Sequence, residues 1–155
     1  MKHPYKKALA LANVFIKKFI FGEYCIAGSI RRKEAMVGDV DIVTSDSLDK
    51  IEEWLAFSSD VKKVRGGKKK LDVDFKGVRF NIYHAKPEYW GAMIFFLTGP
   101  RQYEIAYRVK AKKSGWKLTQ YGLFDSLGKV IAAKTEAAIY KAFNKSYKAP
   151  EMRGK

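Results

Sequence analysis

Apolar positions recur at a helical spacing near the start of the chain. Within residues 6–21, Leu9, Ala12, Val14, Phe15 and Phe19 are spaced among lysines. That pattern predicts an amphipathic helix with Gly22 as its C-cap. Tyr24-Cys25-Ile26-Ala27 is a short apolar run closed by Gly28-Ser29, and Val40-Asp41-Ile42-Val43 is another. Both predict strands, with Cys25 an inert core residue. A helix over 48–57 is expected to start at Ser47. Residues 71–75 and 78–83 each alternate between apolar and polar, on either side of Lys76-Gly77. This predicts a β-hairpin with a two-residue turn. In that register Phe75 faces Val78, Asp74 faces Arg79 and Asp72 faces Asn81.

The texture changes after Lys86. Residues 87–97 read as a helix ending at Thr98-Gly99. Pro100 opens a further helix that runs to about residue 113 and is closed by Gly115. Residues 116–131 hold strand-like pieces with turns at Gly122 and at 125–128, and 135–143 read as a last helix. The expected organisation is therefore α+β: a mixed sheet with flanking helices over 1–86, then a mostly helical part with a small β-hairpin over 87–155. Trp54, Trp90 and Trp116 are expected to pack inside or between these parts. His3 and His84 have no metal-ligand spacing.

Charge narrows the function. The chain has 155 residues, 31 Lys and Arg against 16 acids, and a formal charge of +15. An apolar fraction of 47% excludes a disordered tail. A surplus that large favours a polyanionic partner, nucleic acid first. Residues 1–86 carry 18 basic and 11 acidic residues, and 87–155 carry 13 and 5, so the shorter part is denser in positive charge. One cysteine excludes an internal disulfide and fits a reducing compartment. No apolar run is long enough to span a bilayer, and no secretory signal is visible, so an intracellular location is expected.

The most informative stretch is Gly28-Ser29-Ile30-Arg31-Arg32, followed by Gly38-Asp39-Val40-Asp41. A Gly-Ser pair between a strand and a helical turn offers amides and a hydroxyl to a phosphate, and Arg32 adds charge-assisted hydrogen bonds. Asp39 and Asp41, two apart on a strand, point to one face. Two carboxylates there can hold hard divalent cations for phosphoryl transfer. Each element alone is commonplace: a solvated face, a turn, a surface pair. Their order predicts a nucleotidyltransferase site.

These motifs resemble the palm signature of family X DNA polymerases. The resemblance continues through Leu97-Thr98-Gly99-Pro100, through 117–124 (Lys-Leu-Thr-Gln-Tyr-Gly-Leu-Phe) and through Tyr147 to Arg153. With no lyase domain or fingers before the palm, it is similar to the reduced palm-plus-thumb members found in viruses. It implies a palm over 1–86 and a thumb over 87–155. It further implies nucleotide binding by Gly28, Ser29, Arg32, Gly38, Phe96, Leu97 and Gly99, and metal binding by Asp39 and Asp41. Arg79 would lie near the primer terminus, and Arg108 and Tyr121 at the template or minor groove. The run Lys68, Lys69 and Lys70 reads as a DNA contact or as a solvated loop, and the lysines from 110 to 117 have the same two readings. Expected cofactors and partners are Mg²⁺, with Mn²⁺ also serving, dNTP, and primer-template or gapped DNA. The expected state is a monomer, cytoplasmic or viral in setting, that fills short gaps in DNA repair.

The sequence departs from that family in three places. Asn81 stands at the third carboxylate position, and an amide cannot accept a proton. Three readings stay open: an introduced change that traps a complex, a natural variant active by another route, or a DNA-binding relative that does not extend. Asp72, opposite Asn81 in the hairpin, either supplies the missing carboxylate or only neutralises basic neighbours. Leu97 replaces a Phe that packs on the sugar, which implies weak rejection of ribonucleotides, and Glu104 replaces a minor-groove Asn. Gly99-Pro100 fits either a cis bend or a trans proline that opens the next helix. A non-DNA nucleotidyltransferase is a further reading of the palm motifs alone.

Overall fold

The computed structural model describes the backbone of residues 1–155 and all side chains except those of Lys63 and Val64. It forms two compact units, Met1–His84 and Ala85–Lys155. The first unit contains β1 (His3–Pro4), α1 (Tyr5–Phe19), β2 (Tyr24–Ile26), α2 (Gly28–Arg31), β3 (Met36–Val37), β4 (Val40–Thr44), α3 (Leu48–Leu55), β5 (Val61–Arg65), β6 (Lys70–Phe75) and β7 (Val78–His84).

Five of these strands form a mixed sheet in the order β2-β4-β7-β6-β5. Only the β4–β7 pair is parallel. The alternation in β6 and β7 sends Leu71, Val73, Phe75, Val78, Phe80 and Ile82 into a core with Phe15 and Phe19 of α1 and Ile51 of α3. Phe15 lies 4.7 Å from Phe80 and 5.4 Å from Phe75, centroid to centroid. The intervening residues of the same strands, Asp72, Asp74, Arg79 and Asn81, therefore belong to the opposite face.

The hairpin register matches the sequence pattern at each predicted pair: Phe75 with Val78, Asp74 with Arg79, Asp72 with Asn81. Its turn, Lys76-Gly77, has both φ angles positive, 49° and 83°, as a two-residue hairpin turn requires. Ser47 caps α3 by accepting a hydrogen bond from the Lys50 amide at 3.3 Å.

Several expectations need correction. The first helix ends at Phe19 with an extended Ile20, not at Gly22. Gly22 instead lets the chain pass close to Ser45 and Asp46, which a Cβ there would strike. Cys25 is only half-buried, because β2 is a sheet edge. Trp54 is exposed and stacks on exposed Phe21 at 4.7 Å. Strand β5 is too rich in lysine to show as a strand in the sequence, and the two-residue β1–β3 pair is too short.

The second unit contains a 3₁₀ turn (Pro87–Tyr89), α4 (Trp90–Thr98), α5 (Arg101–Lys113), β8 (Lys117–Thr119), β9 (Gly122–Phe124), β10 (Val130–Ala132), α6 (Glu136–Ala142) and a closing 3₁₀ turn (Pro150–Met152). The expected small hairpin is a three-stranded antiparallel sheet, β10-β9-β8. Its third strand extends the strand-like pieces read over 116–131, and Val130 and Ile131 on it are exposed. The Gly99–Pro100 peptide is cis, and α5 begins one residue later than expected. Thr135 caps α6 through the Ala138 amide, 3.1 Å. Phe95, Tyr107 and Tyr140 form the aromatic centre, with centroids 5.5–5.7 Å apart. Beside it, Arg153 Nη1 donates to Glu136 Oε2 at 2.7 Å, both residues buried.

Candidate active site

The first unit assembles its site on the polar face of the sheet. Asp41 on β4 pairs with Asn81 on β7 in the parallel ladder. Asn81 Nδ2 donates to Asp41 Oδ1 at 3.0 Å and to Asp39 Oδ2 at 3.2 Å. One buried amide thus holds two carboxylates together.

Gly28 closes the site from behind. It opens α2 with φ of +62°, and a Cβ there would run into Asp41 Oδ2. The Ala27 amide donates to the Asp41 carbonyl at 2.8 Å, which ties the loop to β4. Ser29 lies in α2 and Arg32 caps it. Arg32 Nε lies 3.6 Å from Glu34 Oε1. Gly38 has open space around its Cα.

Electrostatics single out Asp41. Burial pushes its carboxyl up to about 6, and the neighbouring Asp39 charge adds to the rise. The Asn81 hydrogen bond, Lys70 and Arg32 act in the opposite direction. The Tyr83 phenol is also pushed up, by burial first and then by the charges of Asp41, Asp72 and Asp39. Two close carboxylates, one disfavoured as an anion by its surroundings, form an oxygen donor set that fits a hard divalent cation. Among the described residues there is no group of three or more His, Cys, Asp or Glu with the geometry of a metal cage. That agrees with an amide, not a third acid, between the two strands.

Arg79, expected near a primer end, is held by Asp74: Nε donates to Oδ1 at 2.8 Å. Of the basic run, Lys68 and Lys69 are exposed in the loop before β6. Lys70 is the first residue of β6, lies 3.4 Å from Asp72 Oδ1 and sits over the Tyr83 ring at 5.7 Å. It belongs to the sheet and not to a free basic loop.

In the second unit, Phe96 and Arg108 come together, with the guanidinium 6.0 Å from the ring centroid. They line a cavity of about 460 Å³ with Lys112, Trp116, Lys117 and Gln120. Arg108 is also held 2.9 Å from Glu104, one helical turn earlier on α5. Leu97 is half-buried, and Gly99 has φ of +60° just before Pro100. Tyr121 lies outside this lining; its ring packs edge-on against Tyr89 at 5.1 Å. Trp116 and Lys112 as cavity walls were not separable in the sequence from core packing and a solvated basic run.

Comparison with known proteins bears on most of the chain. The family model described as the DNA polymerase beta thumb matches residues 93–154. The chain is 31% identical over 136 residues to the Repair DNA polymerase X of African swine fever virus in a Kenyan pig isolate, covering 81% of this chain and 78% of that protein. The Badajoz strain's Repair DNA polymerase X gives the same identity and coverage. Among the described residues no helix is long and apolar enough to cross a membrane. Palm motifs, the thumb match and similarity over 81% of the chain agree, and the chain belongs to the family X DNA polymerases.

Proposed function

We propose that this protein adds deoxynucleotides to a primer 3′ end at short gaps in DNA, with Mg²⁺ or Mn²⁺, as a repair polymerase. The observation that carries this reading is the convergence of Asp39 and Asp41 on Asn81, with the Gly28 backbone against Asp41. Asp39 and Asp41 hold the cations. When bound, a pair of divalent cations stabilises the attacking and leaving oxygens of the phosphoryl transfer. Ser29 and Arg32 bind the triphosphate, with Gly38 leaving room beside them. Arg79, braced by Asp74, faces the primer end. Phe96, Leu97 and Gly99 line the sugar side of the nucleotide, and Arg108, Tyr121, Lys68 and Lys69 contact DNA.

Asn81 lowers the rate because its amide donates where a carboxylate would accept the proton of the primer hydroxyl. The test is extension of a primer on gapped DNA with Mg²⁺ or Mn²⁺. Extension should be present, should disappear in Asp39→Asn, and should rise about 10²-fold in Asn81→Asp, the lower range for a positioned proton acceptor. A second reading, a DNA-binding relative without turnover, is favoured by the two hydrogen bonds with which Asn81 occupies both acids. Tight DNA binding with no extension in either protein would establish it instead.

A further inference from the structure

The cavity of the second unit pairs aromatic rings with cations. Arg108 and Lys112 stand four apart on α5, which puts them on one face of the helix. Lys117, the first residue of β8, adds a further positive charge, and Trp116 and Phe96 supply the rings. Among the described residues that line the cavity there is no acid. Its volume of about 460 Å³ is within the range of small-ligand sites.

The walls are held from behind. Glu104 is 3% exposed and lies 2.9 Å from Arg108 Nε, so a buried carboxylate fixes a half-exposed guanidinium. That guanidinium lies over Phe96, 6.0 Å from the ring centroid. Trp116 packs on Phe143 with centroids 5.9 Å apart, yet it stays only half-buried and lines the cavity. A simple anion would use the charges and not the rings, and an apolar ligand the rings and not the charges. A nucleotide uses both, through a flat base that stacks and a phosphate that pairs with lysine. A base inside a duplex is covered on both faces by its neighbours, so only an unpaired base can stack on a side chain. A gap in DNA presents such a base on its template strand.

We propose that this cavity receives one unpaired template nucleotide of gapped DNA, with the base stacked on Trp116 and the phosphate held by Lys112 and Lys117. This rests on the reading of the protein as a gap-filling polymerase, and it adds three residues to the DNA contacts given above.

The test uses the whole protein with Trp54→Phe and Trp90→Phe, which leaves Trp116 as its one indole. DNA with a one-nucleotide gap should quench the emission. The same DNA with an abasic residue opposite the gap should leave the emission unchanged, and by anisotropy should bind about fivefold or more weakly, the loss of one stacked base. Trp116→Leu should bind the two DNAs equally. Lys112→Gln and Lys117→Gln should weaken both DNAs alike, each lowering the salt slope by about one. Equal quenching by the intact and the abasic gap overturns the proposal. So does equal quenching by an unbroken duplex or by free dATP at the same concentration, and so do unchanged salt slopes in both lysine variants. If each DNA binds without quenching, only the cavity assignment falls. If no DNA binds, the polymerase reading falls with it.

Discussion

Gly28 is fixed by the atom it faces. Its φ of +62° is in the left-handed region, and its missing Cβ leaves room for Asp41 Oδ2. Any side chain pays twice there, through backbone strain of about 1–2 kcal/mol and through displacement of a site carboxylate. Gly28→Ala should therefore lower the melting temperature and abolish primer extension; a stable, active variant would show that Asp41 need not hold this position. Asp41 gives a second expectation. Its native carboxyl lies at about 6, above an unfolded value near 3.9. The folded state holds that proton more firmly, so the associated stability is full below about pH 4 and is lost as pH rises through 6. In metal-free buffer, Asp41→Asn should gain stability relative to the unchanged protein between pH 4.5 and 7.5. Thermal melts in which the difference stays constant with pH would contradict this. The two aspartates and the Gly-Ser pair were visible in the sequence through their order, although each element alone is commonplace. The bond from Asn81 to Asp39 was not, since it joins residues 42 apart and Asp39 lies just before β4, outside the strand expected to carry it.

At the scale of elements, the hairpin of β6 and β7 was the most legible part of the fold. Strict alternation sets both faces, and the Lys76-Gly77 turn fixes the register, so one reading places all six facing pairs. Strand β5 was not legible, because a lysine-rich edge reads the same as a loop. Alternation also means that the core face supports the polar face. Phe80 is fully buried between Arg79 and Asn81 in sequence, and packs on Phe15 at 4.7 Å and on Phe75 at 5.6 Å. Phe80→Ala should cost about 3–5 kcal/mol in denaturant unfolding and should loosen Asn81 with it. A loss below about 1 kcal/mol would mean that α1 is not seated on the sheet as described. The C-terminal boundary of α1 was misread, because the exposed apolar Phe21 mimics a buried residue in a sequence.

For the molecule as a whole, charge is the dominant property. A formal +15 spread over both units is sufficient for sequence-independent contact with phosphates. DNA affinity should fall by about 10³-fold between 50 and 200 mM salt, measured by fluorescence anisotropy on gapped DNA. A flat salt profile would assign binding to apolar or base contacts instead. The texture of the sequence changes after residue 86, and the compact units divide between His84 and Ala85.

The tryptophans fall unevenly between the units. Trp54 belongs to the first, half-exposed against Phe21, while Trp90 and Trp116 belong to the second. The chain thus carries native optical reporters for each unit. With Trp54 replaced by Phe, all remaining indole emission comes from the second unit. Loss of that emission, compared with the loss of helix and sheet signal over the whole chain, shows whether palm and thumb melt together or in sequence.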